Sequence, residues 1–451
     1  MSRPTNLDNV SAMGVLCTQC GTCGIICPVE DCISFKSDDL GNYYPTVSEE
    51  KCRKCRRCLQ VCPGAEIELY GLYERAFAQQ PHNLAIGHWI SCWVGHAANP
   101  VTRYNATSGG IVTALLQYAL EQNIIDGALV VRLGENLTPI PFIAQTPDDV
   151  IKATGSKYLP VAPLTVLSEI VRSREEQRIG VVGLPCQIEG LHRLLEVNTN
   201  LARQIVFSIG LFCNHTKDKR YTDFLLQRLG QSRHTVAQIQ YRGHGWPGEI
   251  SITTQSGDTY RLPQQSHSVT FMWYAKAYAP PRCLICTDHL AEFADIAVGD
   301  AWLPEYIESD DQGTSIIICR TPQGQALLEK ARSAGVICLS ALPVDKLLQS
   351  QSNVLQRKRR GFWGGLAYHL AHSYKEVKQI TGKYELNKEL RWEEKVLGFY
   401  RLTSWRFFSS SFFFHIACRL PETAFSILAS LLRRLDKLSE RLERNPDHSK
   451  S

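Results

Sequence analysis

Apolar residues along the middle of the chain fall into two repeating patterns. Short apolar runs bounded by polar residues or glycine predict buried strands, and they occupy residues 128–133, 178–183, 205–211, 295–302 and 315–320. Segments with an apolar residue at every third or fourth position predict helices, and they occupy residues 111–120, 164–174 and 321–335. Strands that alternate with helices favour an α/β domain.

A different strand pattern interrupts this series. Residues 237–262 alternate apolar and polar side chains, contain several Thr and Tyr and include Gly-rich turns, so they predict a β-hairpin or meander. Gly243, Gly245 and Gly248 surround Trp246, which indicates a turn that passes close to another group.

The N-terminal region carries the most specific pattern, two cysteine runs that read CTQCGTCGIICP and CRKCRRCLQVCP. Each has the spacing C-x2-C-x2-C-x3-C-P of two-cluster bacterial ferredoxins, in which the fourth cysteine of a run ligates the other cluster. The predicted 4Fe–4S ligand sets are Cys17, Cys20, Cys23 and Cys62 for the first cluster and Cys52, Cys55, Cys58 and Cys27 for the second. Zinc is the alternative, but it favours two separated C-x2-C pairs. Cys32 lies outside both runs and is expected to be a buried thiol.

Four further cysteines predict a third cluster. Cys186 and Cys213 each follow a predicted strand, and ligands of open α/β sheets bind at the carboxyl ends of strands. Cys283 and Cys286 form another C-x2-C pair. These four thiols can hold a third 4Fe–4S cluster. The alternative is two buried thiols beside a zinc or redox-active pair.

The residues before the helix at 111–120 are a candidate phosphate site. Thr107 and Ser108 are N-cap residue types, Gly109 and Gly110 would let an anion approach the backbone, and the helix N-terminus would offer N–H donors. A plain N-cap with a tight turn is the alternative. Neither a Rossmann fingerprint nor a P-loop is expected to supply a nucleotide site.

Composition and charge narrow the class of protein. The chain has 451 residues, 44% of them hydrophobic and 21% charged, which predicts two or three ordinary globular domains. A net charge of +5 gives no indication of a nucleic-acid partner. The polar N-terminus lacks the apolar core of a signal peptide, and 17 cysteines point to metal ligands in a reducing compartment, so a cytoplasmic location is expected.

The second cysteine run is strongly basic. The cations beside its ligands are Lys51, Arg53, Lys54, Arg56 and Arg57. They predict either a solvated surface that balances the charge of the cluster or a docking surface for an acidic redox partner such as a ferredoxin.

The C-terminal hundred residues are basic and aromatic. Their apolar runs are broken by Arg401, Arg406 and Arg419 and fall short of the roughly 20 residues that a membrane span requires. Apolar residues at helical spacing follow at Phe425, Leu428, Leu431, Leu432, Leu435, Leu438 and Leu442. The stripe predicts packing on the body of the protein, with peripheral contact at the inner face of a membrane as the alternative.

The motifs from about residue 10 to residue 360 resemble those of the β subunits of coenzyme F420-reducing hydrogenases and dehydrogenases. The matching motifs are the double cysteine run, TSGG, GSKYL, GLPCQ, GLFCN, YRGHGWPG and RCLICTDHLAEFADIAVGDAW, in the order typical of that family. The middle domain also resembles the related 7-hydroxymethyl chlorophyll a reductases. The chain departs from the hydrogenase subunits by its complete two-cluster module and its C-terminal extension, so its two-electron carrier stays open.

The resemblance implies an FAD site beside iron–sulfur clusters. It assigns flavin contacts to residues 107–110 and Lys157, and third-cluster ligands to the same four cysteines, Cys186, Cys213, Cys283 and Cys286. Lys157 is then a candidate catalytic cation near the flavin or substrate, with a surface lysine as the alternative. Asp300, near the end of the predicted strand at 295–302, is a candidate ribose contact or a structural turn residue.

These observations together predict an α/β (α+β) protein of three parts. The parts are a ferredoxin-type module at 1–70, a mixed-sheet, non-Rossmann flavin-binding domain at 71–350 and a helical extension at 351–451. Two functions remain. One is a flavin-dependent oxidoreductase that exchanges electrons with ferredoxin, coenzyme F420 or a small organic acceptor. The other is an electron-transfer subunit that serves a catalytic partner and holds no final substrate.

Overall fold

A computed structural model describes residues 8–65, 70–77, 85–173, 176–371, 400 and 403–443. The strands are β1 Ile33–Ser37, β2 Tyr43–Val47, β3 Ser91–Ala97, β4 Gly127–Leu133, β5 Pro139–Ala144, β6 Ile179–Gly183, β7 Ile205–Leu211, β8 Val236–Gln240, β9 Glu249–Thr254, β10 Thr259–Pro263, β11 Ile296–Asp300, β12 Ser315–Cys319 and β13 Ile337–Ala341. The helices are α1 Thr22–Ile26, α2 Arg57–Gln60, α3 Tyr70–Phe77, α4 Pro100–Asn105, α5 Ile111–Glu121, α6 Pro147–Lys152, α7 Leu167–Arg172, α8 Pro185–Leu195, α9 Thr199–Gln204, α10 Lys219–Arg228, α11 His267–Tyr274, α12 Pro281–Leu284, α13 Pro304–Ile307, α14 Pro322–Ser333, α15 Val344–Ala371, α16 Ser411–Ala417 and α17 Glu422–Glu443.

The N-terminal module repeats a short helix twice, once for each cysteine run. A left-handed residue begins each helix, Gly21 before α1 and Arg56 before α2, because the chain must turn sharply between closely spaced cysteines. The antiparallel pair β1–β2 joins the two halves. Val10, Met13, Leu16 and Leu59 form its apolar core together with Cys23, Cys58 and Cys62.

An eight-stranded mixed sheet forms the centre of the chain, with strand order β13-β3-β12-β11-β7-β6-β4-β5. The four central strands β11, β7, β6 and β4 are parallel, and the strands on either side pair antiparallel. Helix α5 packs its buried face on this sheet, as its three- and four-residue apolar spacing predicts. The mixed α/β architecture is confirmed. The helix predicted at 164–174 is a 3-10 turn, Pro163–Val166, followed by α7.

The meander predicted at 237–262 is confirmed as the antiparallel sheet β10-β9-β8. The turn before β9 contains Gly243, Gly245 and Gly248, which do match the G-x-G-x-x-G spacing that we did not expect in this chain. This turn joins two antiparallel strands and opens no helix, so it lacks the strand-to-helix geometry of a dinucleotide-binding turn.

The C-terminal part begins with α15, which runs through the predicted domain boundary at residue 350. Helix α17 packs on α11, and its Phe425, Ala429 and Leu432 are buried while Leu428 is partly buried. Packing on the body is therefore confirmed for this part of the stripe. Ile427 and Leu431 are exposed. The side chains of Leu435, Leu438 and Leu442, and residue 401, lie outside the described residues.

The N-terminus of α17 is held by Glu422. Its carboxylate pairs with Arg228 of α10 at 2.5 Å and accepts the backbone N–H of Ser268 of α11 at 2.9 Å. Burial raises the pKa of Glu422, but these two partners together lower it below 4.5. Among the helices described, none combines the length and apolar character needed to cross a membrane.

Candidate functional site

The first predicted cluster set lies inside the N-terminal module. Cys62 of the second run lies beside Cys17, Cys20 and Cys23 of the first, as the exchanged fourth ligand requires. Burial and the adjacent thiol of Cys20 raise the pKa of Cys62 to about 12. Crowded, buried thiols of this kind need a metal to stay deprotonated.

The second predicted set lines a single small pocket. The cysteines that line it are Cys27, Cys52, Cys55 and Cys58, together with Cys32. Cys32 is buried, as expected, and it lies beside Cys27 and Cys52. Cys55 is exposed, so this set is the one nearest the solvent.

The basic residues predicted around the second set all reach the surface. Lys51, Arg53, Lys54, Arg56 and Arg57 are exposed. Lys54 forms an ion pair with Asp8 at 3.1 Å, and Arg53 and Arg56 line the pocket itself. The cations therefore form a rim around the accessible cysteine set.

The four remaining predicted ligands meet at the carboxyl edge of the central sheet. Cys186 is the second residue of α8, directly after β6, and Cys213 follows β7, which pairs with β6 in parallel. Cys283 in α12 and Cys286 complete the group. Burial and the charges of the other three thiols raise the pKa of Cys186 well above its usual range. Burial likewise raises the pKa of Cys213 to about 12.

A lysine from α15 completes this third group. The ammonium of Lys358 donates to the Cys286 sulfur at 3.3 Å and to the Asp288 carbonyl oxygen at 2.5 Å, and only 3% of the residue is exposed. Burial opposes its charge, but the thiols of Cys286 and Cys213 raise the pKa of Lys358 above its usual range. In the sequence, Lys358 stands in the basic run RKRR at 357–360 of the C-terminal extension, with no local signal of a site.

The first and third groups are neighbours because α8 packs on the N-terminal module. A Cβ added at Gly190 of α8 would lie 3.1 Å from the Cys20 sulfur and 3.3 Å from Pro63. The charge of Cys20 also reaches Cys186, which precedes Gly190 in the same helix. A side chain at position 190 would therefore separate the two groups.

Within the part of the chain that the structure describes, no three His, Cys, Asp or Glu side chains converge as they would around a single metal ion. In a cubane cluster each cysteine binds a different iron, so its ligands need not meet at one point. The three cysteine groups, all thiols and all close together, match the donor set of 4Fe–4S clusters.

The glycines of the TSGG turn have a packing role. A Cβ at Gly109 would lie 2.6 Å from the Gly95 oxygen and 2.8 Å from the Ser315 nitrogen, and one at Gly110 would lie 3.1 Å from the Thr102 oxygen. Both glycines let this turn pass between β3, β12 and α4, and their contact with an anion stays a prediction. The Gly109 N–H also donates to the Ser315 hydroxyl at 2.9 Å.

The expected N-cap is also different. Gly110, with a φ of 77°, caps α5 and offers no side chain, so neither Thr107 nor Ser108 caps the helix. The Ser108 hydroxyl donates to the Thr314 carbonyl oxygen, and the Thr107 hydroxyl accepts the Ser156 N–H at 2.8 Å. Helix α5 has no side-chain cap, and the Thr113 hydroxyl in its first turn lies 3.5 Å from the Thr154 hydroxyl of the loop at 153–158.

Lys157 lies in that same loop and is half-buried. Its ammonium donates to the carbonyl oxygens of Ala153, Thr154 and Gly155, at 3.0 Å for Thr154 and 2.8 Å for Gly155. Burial lowers the pKa of Lys157 to about 7. Three acceptors match the three hydrogens of an ammonium group, so these contacts favour the protonated form. The structure thus brings the two regions with predicted flavin contacts together.

Asp300 anchors the turn between β8 and β9. Its carboxylate accepts hydrogen bonds from both terminal nitrogens of Arg242, at 2.9 and 2.8 Å, and from the Trp246 indole N–H at 2.8 Å. Arg242 also contacts the hydroxyl of Tyr158, next to Lys157. The structure therefore favours the structural interpretation of Asp300, and it adds Arg242 and Tyr158 to this region.

An open cleft with about 600 Å³ of empty space lies beside this turn. Its lining includes Tyr104, His244, Trp246, Glu249 and Asp311. Sequence reasoning missed most of these residues because they come from separate segments. The glycine-rich turn around Trp246 was the one available signal.

Comparison with known proteins identifies the central part of the chain. Two family models match it, both described as coenzyme F420 hydrogenase/dehydrogenase beta subunit. The N-terminal model matches residues 92–168, and the C-terminal model matches residues 176–344. The chain is 30% identical over 278 residues to the coenzyme F420 hydrogenase subunit beta of Methanothermobacter thermautotrophicus, which covers 57% of this chain and 90% of that protein.

Two further relatives extend this match. One is a subunit of the F(420)H(2) dehydrogenase of Methanosarcina mazei, 25% identical over 377 residues, which cover 81% of this chain and 95% of that protein. The 7-hydroxymethyl chlorophyll a reductase of Oryza sativa is 25% identical over 225 residues, 49% of this chain and 45% of that protein, so the predicted relationship to these reductases is confirmed. This chain belongs to the oxidoreductase family of coenzyme F420 hydrogenase/dehydrogenase beta subunits.

Proposed function

We propose that this chain is an iron–sulfur flavoprotein that passes electrons between 4Fe–4S clusters, FAD and a two-electron carrier or acceptor. The observation that carries the proposal is the third cysteine group. Its four thiols meet at the carboxyl edge of the sheet, the Cys286 sulfur accepts from the buried ammonium of Lys358, and the group adjoins Cys20 of the first group. Neutral thiols would leave that buried cation without a counter-charge, whereas cluster thiolates provide one.

The cysteine groups would hold three clusters in a row. The second group is nearest the solvent, the first lies inside the module and the third lies in the central domain. Helix α8 keeps the first and third groups adjacent through Gly190. The protein would fix the positions of the clusters and bury the electron transfer between the first and the third.

The flavin would lie against the N-terminus of α5 and the loop at 153–158. The uncapped N–H groups of α5 would bind its phosphates, and the Thr107–Ser156 hydrogen bond fixes the turn and the loop relative to each other. Lys157 would hold a positive charge at this loop, where it can stabilise developing negative charge. When bound, clusters carry single electrons and a flavin exchanges one or two, so the pair couples one-electron to two-electron chemistry.

The names of the relatives favour coenzyme F420 as the two-electron carrier, with a small organic acceptor as the alternative. The exposed basic rim around the second cysteine group suits an acidic one-electron partner such as a ferredoxin. The exposed apolar residues of α16 and α17 leave peripheral membrane contact as a further proposal for the extension.

The proposal is tested by anaerobic purification followed by assay of iron, sulfide and flavin per chain. About twelve iron atoms with one FAD are expected for three clusters and a flavin. About eight iron atoms would indicate that only two clusters are present and that the third group consists of free thiols. A preparation that binds no flavin, even when FAD is added during reconstitution, would contradict the flavoprotein proposal.

A second candidate is an electron-transfer subunit without its own final substrate. It is favoured because two of the most similar relatives are named as subunits of a hydrogenase and of a dehydrogenase. Reduction of F420 or of an artificial acceptor by the purified chain would support the enzyme. A chain that is inactive alone but active in a stable complex with a large catalytic partner would support the electron-transfer role.

A further inference from the structure

Lys358 comes from a part of the chain that neither family model covers. The second model ends at residue 344, which is where α15 begins. Lys358 lies four turns along this helix, yet it contacts Cys286, 72 positions earlier in the sequence. The extension therefore supplies a side chain to a site whose thiols all belong to the family domain.

One buried face of helix α15 places Lys358 at the third group. Leu347, Gln351, Leu355 and Lys358 are buried, and their spacing of four, four and three residues places them on one face. Gln351 fixes that face to the site, since its amide nitrogen donates to the Asp300 carbonyl oxygen at 2.8 Å and its amide oxygen accepts from His289 Nε2 at 3.0 Å. The His289 ring in turn contacts the Cys213 carbonyl oxygen at 3.1 Å.

The charge of Lys358 has no carboxylate partner within ion-pair distance among the described residues. Its ammonium contacts a sulfur and a backbone oxygen, and the nearby Asp288 carboxylate instead accepts the Glu292 N–H at 3.1 Å. A buried ammonium without a counter-charge costs several kcal/mol. Of the third group, the Cys286 sulfur is in direct contact with the ammonium, and the charges of Cys213 and Cys283 also act on it.

We propose that Lys358 makes reduction of the third cluster easier by holding a positive charge against its ligands. The inference rests on the proposed function, because it requires the third cluster. Each electron that arrives from the N-terminal clusters adds one negative charge to the site, and no bond is formed or broken. An adjacent cation stabilises the reduced site more than the oxidised one, and net charge and hydrogen bonds to sulfur are known determinants of cluster potential.

The test compares anaerobically purified holoprotein with the variants Lys358→Met, Lys358→Arg and Arg357→Met. The third cluster is identified by the paramagnetic signal that disappears in Cys286→Ser, and its midpoint potential is measured by potentiometric titration. Lys358→Met should lower the equilibrium constant for one-electron reduction at least about tenfold, a shift of about 59 mV to more negative potential. Lys358→Arg keeps the charge and should stay close to the wild type.

Arg357→Met is the matched control, because it removes the same charge one position away. Arg357 donates to the Asn353 carbonyl oxygen and packs on the Tyr274 ring, so its loss should shift the potential much less. An unchanged potential in Lys358→Met would overturn the role of Lys358 and leave the cluster standing. Absence of a third signal in the wild type would overturn the cluster itself.

Iron content covers the case in which Lys358→Met does not assemble the cluster. If Lys358→Met loses about four iron atoms while Lys358→Arg keeps them, the charge is required and the inference is supported. If both variants lose the same iron and remain folded, the residue acts through its shape and the inference fails.

Discussion

Asp300 gives the sharpest test of how the candidate flavin region is built. Its carboxylate is the bidentate partner of Arg242, whose side chain is 6% exposed, and it also accepts the Trp246 indole N–H. In Asp300→Asn the guanidinium stays buried without its counter-charge. Breaking a buried pair from one side costs about 3–5 kcal/mol.

The assay is the free energy of unfolding in urea, measured on anaerobic holoprotein together with flavin content. Asp311→Asn is the matched control, since it is the same chemical change at an exposed residue of the adjoining loop. It should lower the free energy of unfolding by less than about 0.5 kcal/mol. Arg242→Met combined with Asp300→Asn removes both buried charges. The double variant should therefore be more stable than the sum of the single costs predicts, by up to about 3 kcal/mol.

The competing interpretation, a ribose contact, predicts a different result. Asp300→Asn would then lose flavin while its unfolding free energy in the flavin-free state matched that of Asp311→Asn. That outcome, or strict additivity with Arg242→Met, would refute the reasoning that Asp300 anchors the turn.

Three further predictions follow from packing and charge. Gly190→Val should lower the free energy of unfolding by about 1–3 kcal/mol and remove about four iron atoms by displacing Cys20. An iron assay that finds the full iron content in this variant would contradict the prediction. Cys32→Ser should keep all iron while Cys55→Ser loses about four atoms, and equal loss in both would make Cys32 a ligand. Glu422→Gln should weaken docking of α17 by roughly 1–3 kcal/mol at neutral pH. Since the pKa of Glu422 is lowered in the folded protein, the wild type should lose this stabilisation as the pH falls from 4.5 through the folded pKa, and it should then resemble Glu422→Gln. Limited proteolysis of α17 measures the difference between the two proteins. A difference that is the same at all pH values would contradict the prediction.

The sequence by itself determined the local chemistry. Cysteines separated by two other residues lie close along the backbone, so the spacing alone groups Cys17, Cys20 and Cys23. Strand and helix patterns depend on nearby residues in the same way, and they predicted β7 and β12 almost to the residue. Position after a strand also sufficed to single out Cys186 and Cys213.

The tertiary structure alone decided which distant groups meet. Lys358 and Cys286 are 72 positions apart, Arg242 and Asp300 are 58 apart, and Ser108 and Ser315 are 207 apart. These contacts depend on how helices and strands cross, which no local spacing encodes. For the same reason the close packing of Gly109 was not predicted from the sequence, because its neighbours come from β3 and β12.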